Sequence, residues 1–73
     1  MDDDNGILFK IPAEFIGRAL DLMPDPQSAS PGDTASAVVT LRELGEVRIA
    51  AVCKRDPRWL GHRLWSAVRA DLV

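Results

Sequence analysis

The chain has 73 residues, of which 47% are hydrophobic and 27% charged, and its formal net charge at pH 7 is −2. This length gives room for one domain that buries about 60% of its unfolded surface, so a catalytic cleft would compete with the core for apolar residues. One cysteine excludes an intramolecular disulfide, and one cysteine with one histidine cannot supply the four ligands of a structural zinc site.

The N-terminal sequence MDDDNG is acidic and has no apolar anchor, so residues 1–6 are predicted to be disordered. A secretory signal begins with positive charge and continues with an apolar run, which this segment does not have. No apolar run in the chain approaches the roughly 18 residues of a transmembrane helix. The sequence therefore predicts a cytoplasmic protein without a membrane partner, in which residues 7–73 form a single small domain.

The N-terminal part of the domain is predicted to form a strand and then a helix. Residues 7–11 alternate between the two sides of an extended chain. Pro12 suits the first position of a helix, the apolar residues of 13–23 share one helix face, and Pro24 ends the helix. Residues 24–33 hold three of the five prolines and no large apolar side chain, which predicts a loop.

Residues 34–54 support two interpretations. The first is a hairpin with strands at roughly 37–42 and 46–53, joined by a bulged turn in which Gly45 has a positive φ. The second is a pair of helices. The second half of the segment alternates in strand fashion and is rich in β-branched residues, which favours the hairpin. The same alternation predicts that Cys53 is a buried, unreactive thiol.

The Asp56-Pro57 pair is typical of a helix start, because aspartate caps the first turn and proline suits its first position. A helix from residue 57 would place Trp65 on its apolar face and Trp59 on the opposite face. Trp59 and Arg63 would be placed for a cation–π contact, and both residue types are common in interface hot spots. The predicted partner-binding residues on that face are Arg58, Trp59, His62, Arg63, Ser66 and Arg69.

These elements predict an α+β fold in the order β-α-β-β-α. Its antiparallel hairpin would carry both amphipathic helices on one face. The alternative is an all-α fold, which is based on a motif near the C-terminus that is described next.

The sequence IAAVCKRDPRWLGHRL, residues 49–64, resembles the core of a helix-turn-helix. Ile49 and Ala50 match the packed pair of the first helix, and Leu60 falls at the inward position of the recognition helix. The resemblance implies a DNA-binding transcriptional regulator. The residues that it would aim at the major groove are Arg58, Trp59, His62 and Arg63, with Arg69 at a phosphate.

Charge is distributed unevenly along the chain. Residues 1–41 carry two basic and seven acidic side chains, whereas residues 42–73 carry seven basic and four acidic ones. A basic C-terminal part suits phosphates or an acidic protein. An acidic chain favours a protein partner, because phosphate contacts dominate the affinity of proteins for DNA.

The motifs that carry catalysis, phosphate loops or metal spacing are not recognisable, so neither an enzyme nor a cofactor nor a metal site is predicted. The expected function is that of a small non-catalytic protein that occupies a macromolecular partner, in the manner of phage-type inhibitors of host machinery. Its binding surface would be the basic and aromatic face of the C-terminal helix. DNA binding is the alternative function, and a homodimer is compatible with the sequence.

Overall fold

A computed structural model describes residues 6–73 as one α-helix packed on a three-stranded antiparallel sheet. The elements are the helix α1 at Ala13–Leu22 and the strands β1 at Thr34–Leu41, β2 at Gly45–Arg55 and β3 at Arg63–Leu72. The order in the sheet is β1-β2-β3, so β2 is the central strand. The predicted mixture of helix and antiparallel sheet is confirmed. Of the predicted disordered segment 1–6, residues 1–5 lie outside the described part of the chain.

Helix α1 forms where the sequence predicts it. Pro12 precedes the first helical residue with φ −58° and ψ 144°, and its missing N–H costs the helix no hydrogen bond there. Met23 returns to an extended conformation, and Pro24 follows it. Ala19 has no exposed surface, because its side of the helix faces the sheet. In residues 6–73 no helix has the length and the apolar character that spanning a membrane requires.

Strands β1 and β2 form the predicted hairpin. Their register pairs Ala37 with Ile49, and both strands are longer than the sequence predicts. Gly45 has φ 78°, the left-handed conformation expected for the bulged turn between the strands. The alternative of two helices in residues 34–54 is therefore wrong.

The predicted strand at residues 7–11 is wrong. Leu8–Lys10 forms a single turn of 3₁₀ helix, whose internal hydrogen bonds replace those of a ladder. Just before this turn, Gly6 bridges to Ala70 of β3 with φ 63°. The N–H groups of Lys10 and Ile11 donate to the carbonyls of Ile7 and Leu8, so they are not available to a strand ladder.

The predicted C-terminal helix is also wrong, because the chain forms a loop and then β3. In β3 the register pairs Trp65 with Cys53 and shifts by one residue near Ala50, which marks a bulge. Apolar residues in this segment fit a helical face and a strand face equally, so periodicity does not separate the two. Pairing with the second edge of β2 selects the strand, and Gly61 with φ 81° interrupts any helix before it.

The all-α alternative fails for the same reason. Residues 49–64 form the end of β2, the connecting loop and the start of β3, so the helix-turn-helix suggested by the resemblance does not form. The Asp56-Pro57 pair nevertheless orders the residues that follow it. The Asp56 carboxylate accepts a hydrogen bond from the backbone N–H of Arg58 at 2.9 Å, as a cap would, but it closes a turn instead of a helix.

The core lies between α1 and the sheet. On β2 every second side chain is buried against the helix layer, from Val47 to Cys53. Cys53 is 1% exposed, which confirms the predicted burial of its thiol. The remaining buried apolar residues of the described chain are Ile11, Ala19, Met23, Leu41, Trp65 and Ala70.

The opposite side of the sheet, here called the open face, carries no packed element in residues 6–73. None of its side chains is buried, whereas all of the buried residues of the sheet lie on the side of the helix. On β1 and β2 the open-face residues are Thr34, Ser36, Val38, Thr40, Glu46, Arg48, Ala50, Val52 and Lys54, and on β3 they are Leu64, Ser66, Arg69 and Asp71.

Candidate functional site at the β2–β3 hairpin tip

Residues 56–62, here called the hairpin tip, connect β2 to β3 through two successive turns. The backbone N–H of Trp59 donates to the carbonyl of Asp56 at 3.3 Å, and that of His62 donates to the carbonyl of Trp59 at 3.0 Å. Pro57 occupies the second position of the first turn, and Gly61 occupies the third position of the second turn with φ 81°. These are the residues that such turns require, so the sequence itself encodes the conformation of the loop.

The two ends of the hairpin tip are joined to each other. The backbone N–H of Asp56 donates to the carbonyl of His62 at 3.0 Å. Together with the Asp56 cap on Arg58, this bond closes the loop on itself. The hairpin tip is thus held in one shape by its own hydrogen bonds, before any partner contacts it.

The hairpin tip exposes two large apolar side chains next to each other. Trp59 is 62% exposed and Leu60 is 96% exposed. The Trp59 ring meets the ring of His62 edge-on, with 5.8 Å between centroids, so the indole is braced from one side. A shallow cavity beside Leu60 is lined by residues of both turns and by the strand ends, Arg55 and Arg63.

Basic side chains surround this apolar pair. Arg58 is 84% exposed at its side chain, and its Nε lies 4.0 Å from the carboxylate of Asp56. Lys54 and Arg55, at the end of β2, are also exposed. The rim of the hairpin tip is therefore positive, although Asp56 offsets part of that charge.

Arg63 belongs to the base of the hairpin tip. Its Nε donates to the carbonyl of Pro26 at 3.2 Å, and its Nη2 donates to the carbonyl of Gln27. The Gln27 side chain returns two bonds to the Arg63 backbone, with Nε2 donating to its carbonyl at 2.7 Å and Oε1 accepting from its N–H at 3.2 Å. The guanidinium thus ties the predicted loop of residues 24–33 to β3. The predicted cation–π partner of Trp59 is replaced by His62.

The six predicted site residues divide into separate groups. Arg58, Trp59 and His62 lie together on the hairpin tip, with Arg63 at its base. Ser66 lies on the open face, where it pairs with Val52 in the register. Arg69 lies farther along the same face, and its Nε contacts the Asp71 carboxylate at 2.7 Å. The single helical face that was predicted to unite these residues does not form.

Sequence reasoning missed Leu60, which it assigned to the inner face of a helix. The most exposed large apolar residue of the described chain is in fact this one. The sequence did contain a signal for a turn at Leu60, because this residue lies between the Asp56-Pro57 pair and Gly61, which are typical turn residues. Leu60 occupies the second position of that turn, where its side chain is exposed to solvent.

The side chains that the hairpin tip exposes are an indole, an isobutyl group, a guanidinium and an imidazole. They bind by apolar burial, cation–π contact and hydrogen bonding. In the described chain no three His, Cys, Asp or Glu side chains are grouped so that they could hold a metal ion. Comparisons of the chain with protein-family models, with curated proteins and with solved structures find no match. The geometry of the hairpin tip suits non-covalent recognition.

The conformation of the turn at residues 59–62 can be tested by substituting alanine for Gly61 and, as a control, for Gly17. We expect Gly61→Ala to lower the free energy of unfolding by about 1–2 kcal/mol, because a side chain is disfavoured at its φ of 81°. A Cβ would meet no atom within 4 Å at Gly61 or at Gly17, so only the backbone conformation differs. Gly17→Ala in α1 should instead stabilise by about 0.5–1 kcal/mol. Urea denaturation of both variants measures the difference, and stabilisation by Gly61→Ala would contradict the described turn.

Proposed function

We propose that this chain is a non-catalytic binding protein that docks onto a protein partner through the hairpin tip. The observation that carries the proposal is the pair of adjacent exposed apolar side chains, Trp59 and Leu60, on a loop closed by its own hydrogen bonds. Tryptophan anchors of this kind provide much of the affinity in protein interfaces. By occupying the partner's surface, the protein would act as phage-type inhibitors of host machinery do.

Preorganisation supports the proposal. A flexible loop loses conformational entropy when it binds, and that loss reduces affinity. The hairpin tip is already ordered by the bonds between Asp56, Trp59 and His62. The backbone that carries Trp59 and Leu60 therefore does not have to be ordered when the protein binds.

The charges favour a protein over a nucleic acid. The chain as a whole is acidic, and the Arg63 guanidinium is engaged with the carbonyls of Pro26 and Gln27. The Arg58 side chain lies beside the carboxylate of Asp56. The remaining positive rim of Lys54, Arg55 and Arg58 suits acidic residues around an apolar pocket on a protein.

The experiment is capture of partners from native lysate by three immobilised chains: the unmodified protein, Trp59→Ala and Phe9→Ala. Phe9 is 74% exposed and lies outside the hairpin tip, so its variant removes a comparable exposed aromatic ring. We expect proteins that are retained by the unmodified chain and by Phe9→Ala to be lost with Trp59→Ala. In a titration with the purified partner, Trp59→Ala should weaken binding by about 30-fold or more, the equivalent of about 2 kcal/mol.

Two results would contradict the proposal. Equal capture by Trp59→Ala and Phe9→Ala would show that the hairpin tip is not the contact surface. Loss of all capture after nuclease treatment would indicate nucleic acid as the partner. In that case binding should fall steeply with salt and should depend on Arg58 more than on Leu60.

A further inference from the structure

The outer edge of β1 has backbone groups without hydrogen-bond partners in residues 6–73. The Cys53 N–H donates to the carbonyl of Asp33 at 2.7 Å, just before β1, and this sets the alternation of the ladder with β2. The next residues to bond β2 are then the odd-numbered ones from Ala35 onward. The even-numbered residues direct their N–H and C=O groups away from the sheet, and these residues are Thr34, Ser36, Val38 and Thr40.

The opposite edge of the sheet, formed by β3, has several features that prevent pairing with another chain. Strand β3 contains a bulge and carries Arg69 and Asp71 on its exposed side. Its outer edge is also contacted by the preceding chain, because the Ile7 N–H donates to the carbonyl of Ala70 at 3.0 Å. Charges, bulges and coverage are the usual means by which edge strands avoid pairing with other chains.

Strand β1 has none of these features. Its sequence, TASAVVTL, contains no charged residue and no proline, and its register with β2 is continuous over its whole length. Its open-face side chains are small and uncharged. A long, regular, uncharged edge is a template for a further strand.

We propose that β1 pairs antiparallel with β1 of a second copy of this chain, so that the two three-stranded sheets become continuous. A two-fold axis through Ala37 pairs Ser36 of one copy with Val38 of the other, and Thr34 with Thr40. This register joins all of the outward backbone groups, in about eight hydrogen bonds. The contact is isologous, so it closes as a dimer.

Charge complementarity favours this occupant and this direction. Asp33 stands immediately before β1, and Arg42 immediately follows it. Antiparallel pairing brings Asp33 of one copy towards Arg42 of the other at both ends of the new ladder. Parallel pairing would place like charges side by side, which destabilises strand pairs.

Exposed apolar side chains lie beside the same edge. A groove there is lined by Phe15, Leu22, Val38 and Val39, together with the polar residues Arg18, Asp21 and Thr40. Leu22 is 67% exposed and Val38 is 40% exposed. A neighbouring copy on this edge would cover part of both side chains, which adds apolar burial to the backbone bonds.

The test measures the mass of the full chain by sedimentation over a range of concentrations. A dimer has twice the 8.0 kDa of the monomer. Val38→Lys places a charge on the proposed interface, and Val68→Lys is its control, because the two valines are 40% and 39% exposed on opposite edge strands. We expect Val38→Lys to weaken dimerisation by about tenfold or more and Val68→Lys to leave it unchanged. A wild-type chain that stays monomeric at about 100 µM, where a dissociation constant of about 10 µM would leave most of the chain dimeric, would overturn the proposal.

The meeting of charged residues at the ends of the dimer is tested with two charge variants, used singly and mixed. Asp33→Lys alone and Arg42→Asp alone each set like charges against each other at both ends of the dimer. A mixed dimer of the two variants restores opposite charges at both ends. Native mass spectrometry of the mixture should show the mixed dimer enriched by roughly fivefold over either homodimer, as two surface ion pairs allow. Direction is measured by comparing the Asp33→Lys homodimer with the unmodified one. Antiparallel pairing makes the variant dimerise more weakly, whereas parallel pairing already sets like charges together and would leave its dimerisation unchanged. An unchanged Asp33→Lys dimer, or a statistical mixture of the two variants, would overturn the antiparallel arrangement. Trp59→Ala should leave the dimer intact, so this test is independent of the proposed partner contact at the hairpin tip.

Discussion

Replacing Trp65 with alanine is expected to lower the free energy of unfolding by about 3–5 kcal/mol. The indole is only 8% exposed and packs with Met23 and Cys53 in the core between the sheet and the chain that follows α1. Its Nε1 also donates to the carbonyl of Pro24 at 2.7 Å, so the substitution leaves that carbonyl without its partner. A domain of this size has a total stability of similar magnitude, so a large unfolded population should be visible at 25 °C.

The control is Trp59→Ala, which removes the same side chain from an exposed position. We expect its free energy of unfolding to differ from that of the unmodified chain by less than about 0.5 kcal/mol, as for most surface substitutions. Urea denaturation followed by far-UV circular dichroism measures both variants without relying on tryptophan fluorescence. If Trp59→Ala destabilised the chain as much as Trp65→Ala, Trp59 would cover the core and the hairpin tip would lose its proposed anchor.

Replacing Ile49 with alanine is the second substitution with a large expected effect. Ile49 has no exposed surface, and it lies on the central strand, where Ala37 and Ala70 flank it in the register. Its register partners are small, and the strands on both sides fix the backbone, so the cavity would collapse only in part. We expect the free energy of unfolding to fall by about 3–4 kcal/mol, within the range of buried isoleucine truncations.

Leu72→Ala is the matched control, since it removes the same number of carbon atoms from a residue that is 60% exposed. Its free energy of unfolding should change by less than about 1 kcal/mol. Thermal and urea denaturation of the two variants should therefore give well separated midpoints. Equal midpoints would contradict the placement of the core against the central strand.

The hairpin tip and the edge of β1 lie at different places in the fold, and this has consequences for both proposals. The tip projects beyond the ends of β2 and β3, whereas the β1 edge runs along the other side of the sheet. Pairing through β1 would therefore leave both hairpin tips accessible. A dimer would present two copies of Trp59 and Leu60, which raises the apparent affinity for a partner that has two binding sites.

The separation of the two tryptophans was predicted correctly, although the element that carries them was not. A helical wheel places Trp59 and Trp65 on different sides, and the structure also exposes one and buries the other. The cause is different, because Trp59 lies in a turn and Trp65 on the inner face of β3. A correct burial pattern is thus weak evidence for the secondary structure from which it was derived.

The role of Arg63 could not be read from the sequence. Its neighbours along the chain suggested a free basic group on a binding face. Its guanidinium instead bonds the carbonyls of Pro26 and Gln27, which lie in the loop before β1. Such a contact joins residues that are far apart in the chain, so no local pattern indicates it.

The sequence by itself predicted helix α1 and the loop after it, and it favoured the β1–β2 hairpin over a pair of helices. Each of these depends on local signals: Pro12 and Pro24 at the ends of the helix, alternation along β2, and a glycine at position 45 that accepts a positive φ. These signals act over a few residues, and the structure agrees with them.

Only the tertiary structure decided the conformation of the last quarter of the chain. Residues 57–72 have apolar positions that suit a helix as well as a strand, and Asp56 can cap a helix or a turn. The strand is selected because β2 offers a free edge whose N–H and C=O groups need partners, and β3 supplies them. Because β3 pairs with β2, the residues between them form the hairpin tip. The exposure of Trp59 and Leu60 is therefore a consequence of long-range hydrogen bonding, which local periodicity cannot predict.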